Sequence, residues 1–251
     1  PVRYTRPDEA VIKIENVEVM GWEHTIRGIR NTMGSWNKSD SGICKGGDDG
    51  IGCENCVNCD SCAHAYDHSW QLGKADHDLM MRLEDAGYRR MITVNLDITA
   101  PLYWWKDFYT YEVGAVADSC SAMSELAAKA FTLDDFSCEH LDIRTIKVLE
   151  DVVNVLNDYM TLYVNYNADD FEIKGCPSKE GIWWQMIQLL PSSYNQKRTV
   201  MLNYETLTGV YPMLKNHELD EWVEFRKWIE VLPYSEIIIG KAMGIKHDSI
   251  L

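Results

Sequence analysis

The feature that most restricts this chain is the stretch from Met91 to Met123, because it carries two different periodicities back to back. Ile92, Val94, Leu96 and Ile98 alternate with Thr93, Asn95 and Asp97, the period-2 signature of a half-buried strand. Thr99 then offers an N-cap oxygen. Pro101 falls in a first helical turn, where its missing N–H costs nothing. The pattern predicts a helix over Leu102 to Met123. Its first half is aromatic around Lys106 and Asp107, and its second half is small and polar from Gly114 to Ser121. A strand turning sharply into such a helix can hold a flat ligand, with rings to stack on and small residues that allow close approach. It can equally be a core helix on a sheet.

The flanking pattern predicts a mostly helical partner set. Val11 to Met20 reads as a strand with a phase change at Glu15–Asn16, a bulge or a hairpin. Trp22, Ile26, Ile29 and Met33 share one helical face. Asp76 is expected to cap a helix buried through Leu79, Met80 and Leu83 and ending at Gly87. Thr132 and Asp134 open a polar turn. Ile146, Leu149, Val153, Leu156, Met160 and Tyr163 recur at intervals of three and four, the clearest helical signal in the chain. A short helix around Trp183 and Trp184 stops at Pro191. Asn195 is expected to cap a helix with Val200, Tyr204, Leu207 and Tyr211 inward, and Asn216 a last one with Leu219, Trp222, Phe225 and Ile229 inward. The sum is α+β: one domain, residues 1–251, predominantly helical around a small, mostly antiparallel sheet, with a Cys-rich insertion at about 43–70. Nine Trp and thirteen Tyr supply the rings for a core or pocket.

Within the insertion, Cys44, Cys53, Cys56, Cys59 and Cys62 crowd into 19 positions with almost no aliphatic residues. No run reaches the length of a membrane span, and the opening PVRYTRPDEA has no signal-peptide core, so the chain reads as soluble, not exported and cytoplasmic. In that setting dense thiols hold a metal more often than they form disulfides. Three successive two-residue gaps suit a cubane iron–sulfur cluster taking thiolates from one loop. Zinc is the competing ligand, although its two Cys-x-x-Cys hooks usually stand further apart. A run with no bound metal is the third reading, and under any of the three the segment is read as a staple. A net charge of −15 argues against general duplex binding, which needs clustered Lys and Arg. There is no Gly-x-Gly-x-x-Gly, P-loop, Gly-x-Ser-x-Gly or His-Glu-x-x-His. The dispersed histidines, His140 and His217 among them, read as surface or cap residues.

The order of elements resembles the flavin-dependent thymidylate synthases. That family's strand leads into Arg-His-Arg-x-x-Ser-x-Asn-x-x-Ser-x-Arg-Tyr. In DITAPLYWWKDFYTYEVGAVADSCSAM, with a one-residue gap, Asp118 and Ser121 fall at the family's Asn and second Ser. Tyr111, Glu112 and Val113 stand where Arg-His-Arg would be, and Met123 where the last Arg would be. Later, Asn203, Leu207 and Glu221 match the final helix pair, Glu205 or Thr206 stands near its first Arg, and Leu214 takes the place of the substrate-binding Arg. The texture is also similar to phage-type proteins grouped near that family. The family's arginines grip flavin and phosphate through a bidentate fork, and the residues here cannot donate in that way.

The resemblance implies a pyrimidine nucleotide as ligand, FAD as a cofactor, and a homo-oligomer, the last also suggested by the apolar tail Ile237–Ile239. Candidate binding residues are Tyr103, Trp104, Lys106, Tyr111, Ser119, Ser121, Tyr194, Asn195, Arg198 and Asn203. Arg198 and Asn203 are expected on one helix, with Arg198 bending around its N-terminus toward an anion. Two readings stand side by side: an enzyme that modifies a pyrimidine nucleotide, and a non-catalytic protein that kept the fold, stapled by a Cys-ligated metal site.

Overall fold

A computed structural model describes residues 11–43, 70–83, 86–110, 116–119, 129–167 and 178–242. Its centre is a four-stranded antiparallel sheet in the order β1 (Lys13–Met20), β4 (Thr93–Pro101), β6 (Asn195–Asn203), β5 (Val116–Ser119). The alternation read at Met91 decides its two faces. Val94, Leu96, Ile98 and Ala100 are fully buried on one side, with Val200 and Leu202 beside them. Thr93, Asn95, Asp97 and Thr99 point to the other, half-exposed side. β1 carries a bulge between Glu15 and Glu18, with Asn16 at φ 52°, where the alternation slips phase.

Helices cover the apolar face. α1 (Trp22–Met33) leaves β1 through Gly21 at φ 97°, where a Cβ would stand 2.0 Å from the Met91 carbonyl oxygen. α2 (Lys74–Arg82), α3 (Leu102–Phe108), α6 (Tyr204–Val210), α7 (Asp220–Glu230) and α8 (Glu236–Ala242) complete the main core. A second cluster is built on the packed helices α4 (Ile143–Val164) and α5 (Lys179–Leu189), and includes Phe131, Phe136 and Tyr194. A small stem, β2 (Gly42–Ile43) paired with β3 (Trp70–Gln71), brings the two ends of the Cys-rich insertion side by side. Residues 44–69, and with them Cys44, Cys53, Cys56, Cys59 and Cys62, lie outside the described residues. Among the described residues no group of His, Cys, Asp and Glu could hold a metal, and no helix is long and apolar enough to cross a membrane.

Several boundaries differ from the sequence reading, each for a tertiary reason. β4 runs through Thr99 to Pro101, so Thr99 is a strand residue paired with Lys13 and Lys197. The first N–H groups of α3 are met by the turn before β6: Leu102 donates to Tyr194 O and Tyr103 to Ser192 O, both at 3.0 Å. α3 ends at Phe108, and 116–119 is an edge strand on β6, not more helix. Asn195 opens a strand; it is Asn203 that caps a helix, α6, by accepting from Thr206 N at 2.9 Å. Asp76 lies inside α2, whose N-terminus is met by the Asp40 carboxylate through Ala75 N and Asp76 N. α2 ends at Arg82, before Gly87. Asn216 sits in a turn at φ 62°, and α7 starts four residues later. Ile237 and Ile238 of the tail are fully buried in the chain's own core, which removes their motive for a second subunit.

Candidate functional site

Tyr103, Lys106, Asp107 and Thr110 fall at i, i+3, i+4 and i+7, so α3 and the turn after it present them along one stripe. That stripe faces Met213, Lys215, Asn216, His217, Glu218 and Leu219 of the segment entering α7. The two segments enclose an open cleft of about 810 Å³, a size that suits one small ligand. The opposite flank of α3, Trp104, Trp105 and Phe108, is buried in the main core with Trp222 and Phe225.

Two side-chain bonds tie the α3 wall of the cleft to α7. Trp222 Nε1 donates to Asp107 Oδ2 at 2.8 Å, and the Tyr103 hydroxyl donates to Glu221 Oε1. Glu221 is almost fully buried. Burial first, and then the bond to Glu221, push the Tyr103 phenol far above its ordinary range, so it stays a donor. Its hydroxyl also meets Ser137, whose own hydroxyl donates to Asn195 Oδ1 at 3.0 Å. His217 takes the backbone N–H of Leu219 on Nδ1 at 3.1 Å and turns Nε2 toward Asp107 Oδ2 at 3.7 Å. On the opposite side of charge, Lys106 and Lys215 are exposed, and among the described residues neither is paired with a carboxylate.

The candidate residues read from the sequence separate into groups. Tyr103 and Lys106 line the cleft, and Asn195 reaches it through Ser137. Trp104 does not: it is fully buried, 4.7 Å from Trp222 and 5.0 Å from Trp105 between ring centres. Tyr194 is packed in the second core against Phe131 and Phe136. Arg198 lies on another flank of α3, its guanidinium 4.6 Å above Trp105 and 5.3 Å from Tyr109, held by Gln196 Oε1 and the Tyr109 hydroxyl. At 100° per residue, Trp105 and Tyr109 stand roughly 130° around the helix from the cleft stripe. Asn203 is eight residues along β6 from Asn195, roughly 26 Å away at strand rise. Being five apart on a strand, Arg198 and Asn203 also point to opposite faces, so they form no common pocket. Ser119 pairs with Arg198 through the backbone at the edge of the sheet. Tyr111 and Ser121 lie outside the described residues.

The residues missed are Asp107 and the wall from Met213 to Leu219. Asp107 had a signal, its i+4 spacing from Tyr103. The sequence reads the wall otherwise, with Asn216 as a helix cap, Leu219 as an inward helix residue and His217 as a surface or cap residue; its one signal is Leu214, which stands at the resemblance's substrate-binding Arg.

No family model and no curated protein sequence matches the chain. Solved structures do match in fold. A thymidylate synthase X from Helicobacter pylori, with FAD and dUMP, is 13% identical with a TM-score of 0.56, covering 92% of this chain and 99% of its own. A flavin-dependent thymidylate synthase of the same organism, also with FAD and dUMP, is 14% identical with a TM-score of 0.54, covering 90% and 96%. A UMP/dUMP methylase from Streptomyces cacaoi is 10% identical with a TM-score of 0.49, covering 93% and 96%. The chain has the α+β fold of the flavin-dependent thymidylate synthases.

Proposed function

We propose that a chain with this fold binds a pyrimidine mononucleotide of the deoxyuridylate kind in the cleft between α3 and the Met213–Leu219 wall. The observation that carries the reading is the pair Lys106 and Lys215, two exposed ammonium groups from separate segments converging on one cleft of ligand size. Two such point charges suit one phosphate. The Tyr103 ring and the Asn216 amide add a stacking face and a group with both donor and acceptor. Phosphate binding from new positions is also what the replaced arginines require. Leu214, at the resemblance's substrate-binding Arg, is buried in the core, and Glu205 is tied to Arg89 at 2.6 Å.

FAD, which the two Helicobacter pylori structures contain, is the cofactor this reading brings with it. The described donors of the cleft are lysines without a guanidinium, which fits a single phosphate better than a pyrophosphate, so no step is routed through a flavin. A Cys-ligated iron or zinc centre within residues 44–69 is a separate proposal, resting on sequence spacing alone.

Calorimetric titration with dUMP, and separately with FAD, tests the nucleotide reading. Wild type should bind dUMP, and Lys106→Ala and Lys215→Ala should each weaken it about tenfold, as losing a charged hydrogen bond implies. Arg198→Ala should bind like wild type, since Arg198 faces away from the cleft. Absence of dUMP binding by wild type would refute the reading.

A further inference from the structure

The cleft contains a donor and an acceptor that the fold holds in place without fully using. If Nδ1 of His217 accepts the Leu219 N–H, the neutral ring carries its proton on Nε2. That nitrogen lies 3.7 Å from Asp107 Oδ2, too long for a hydrogen bond. Asp107 is itself anchored: Oδ2 accepts from Trp222 Nε1, and Oδ1 has no partner among the described residues. Both side chains are partly exposed at the cleft wall. Side by side, they offer one fixed donor and one fixed acceptor to whatever enters.

We propose that Asp107 and His217 read the edge of the pyrimidine base, Asp107 accepting its ring N3–H and His217 Nε2–H donating to the adjacent carbonyl. This rests on the nucleotide reading above and names the part of the ligand that these two residues see. A uracil ring presents N3–H flanked by two carbonyl oxygens, so a donor beside an acceptor matches it in either orientation. A phosphate does not fit here, because Asp107 would repel it; that group belongs with Lys106 and Lys215. The bonds from Trp222 to Asp107 and from Leu219 N to His217 hold the pair in place, so little is lost in ordering it when the base arrives.

Calorimetry with dUMP, N3-methyl-dUMP and base-free deoxyribose 5-phosphate on the full chain at pH 7.5 tests the assignment. Methylation of N3 should weaken binding at least tenfold. His217→Gln and Asp107→Asn should weaken dUMP about tenfold without weakening deoxyribose 5-phosphate, which separates base reading from a folding defect. Long-range nitrogen–proton NMR of the imidazole gives a readout free of ligand, and it should show His217 protonated on Nε2 alone. Equal affinity for dUMP and its N3-methyl derivative, or a His217 proton on Nδ1, would overturn the base-reading pair while leaving nucleotide binding intact. No binding of dUMP would overturn both.

Discussion

Asp76 shows how much one residue can hold. It is fully buried, and every approach to its carboxylate is occupied. Arg30 donates through Nε at 2.8 Å and Nη2 at 2.6 Å, and the Ser39 and Ser41 hydroxyls donate at 2.7 and 2.6 Å. Burial alone would raise its pKa. The bonds from Ser41, Ser39 and Arg30 outweigh that and hold it below the ordinary carboxylate range. Since the folded value lies below the unfolded one, near 3.9, the stabilisation is fully present above that pH and is lost as pH falls through the folded value. Asp76→Asn should leave Arg30 buried without its counter-charge and cost about 3–5 kcal/mol at pH 7. Urea unfolding from pH 7 down to pH 3 should show that the variant's deficit shrinks on acidification. A deficit independent of pH would contradict the ion-pair account.

At the scale of elements, the junction of β6 with α6 is where strand and helix compete for the same residues. Val200, Tyr204 and Leu207 suit a helical spacing, yet Gln196, Val200 and Leu202 are buried by alternation, because β6 is sandwiched between β4 and β5. Asn203 ends the strand and starts the helix at once, accepting from Thr206 N and Oγ1. Asn203→Ala should therefore lower stability by about 1 kcal/mol, the usual worth of an N-cap, and leave dUMP affinity unchanged. Thermal unfolding alongside calorimetry checks both halves. A loss of affinity without a loss of stability would return Asn203 to the binding site.

Over the whole molecule, the residues that bracket the Cys-rich stretch are joined to each other and to the main core. β2 and β3 pair Gly42 with Gln71 and Ile43 with Trp70, and the Asp76 cluster ties the stem to α1 through Arg30. Ile43 and Trp70, which bracket residues 44–69, thus stand one strand spacing apart, close to 5 Å. Replacing that segment by a short turn should leave the domain folded, with far-ultraviolet circular dichroism and dUMP affinity like wild type. Wild type purified without air should carry iron or zinc in near-stoichiometric amount by elemental analysis, and the shortened chain should carry none. Disulfides among the five cysteines with no metal would refute the metal-centre proposal.

The sequence by itself determined the elements whose burial repeats along the chain: α1, the central strand, and α4, which follows the three-and-four spacing from Ile146 to Tyr163; for β1 it indicated a strand with a phase change, and left bulge or hairpin open. It also carried the fold class, since one alternating strand among amphipathic helices leaves few other arrangements. It put Tyr103 and Lys106 on the helix after that strand, and both lie on α3 along the candidate cleft. Only tertiary structure decided that 195–203 is a strand, because its partner β4 lies about a hundred residues away and local periodicity does not report a distant ladder. The cleft was settled at the same level. Asp107 and His217 are 110 positions apart, and their 3.7 Å meeting depends on α7 docking on α3 through Trp222 and Glu221. A site made by the packing of two helices has no short-range signature, for the physical reason that its geometry belongs to neither helix alone.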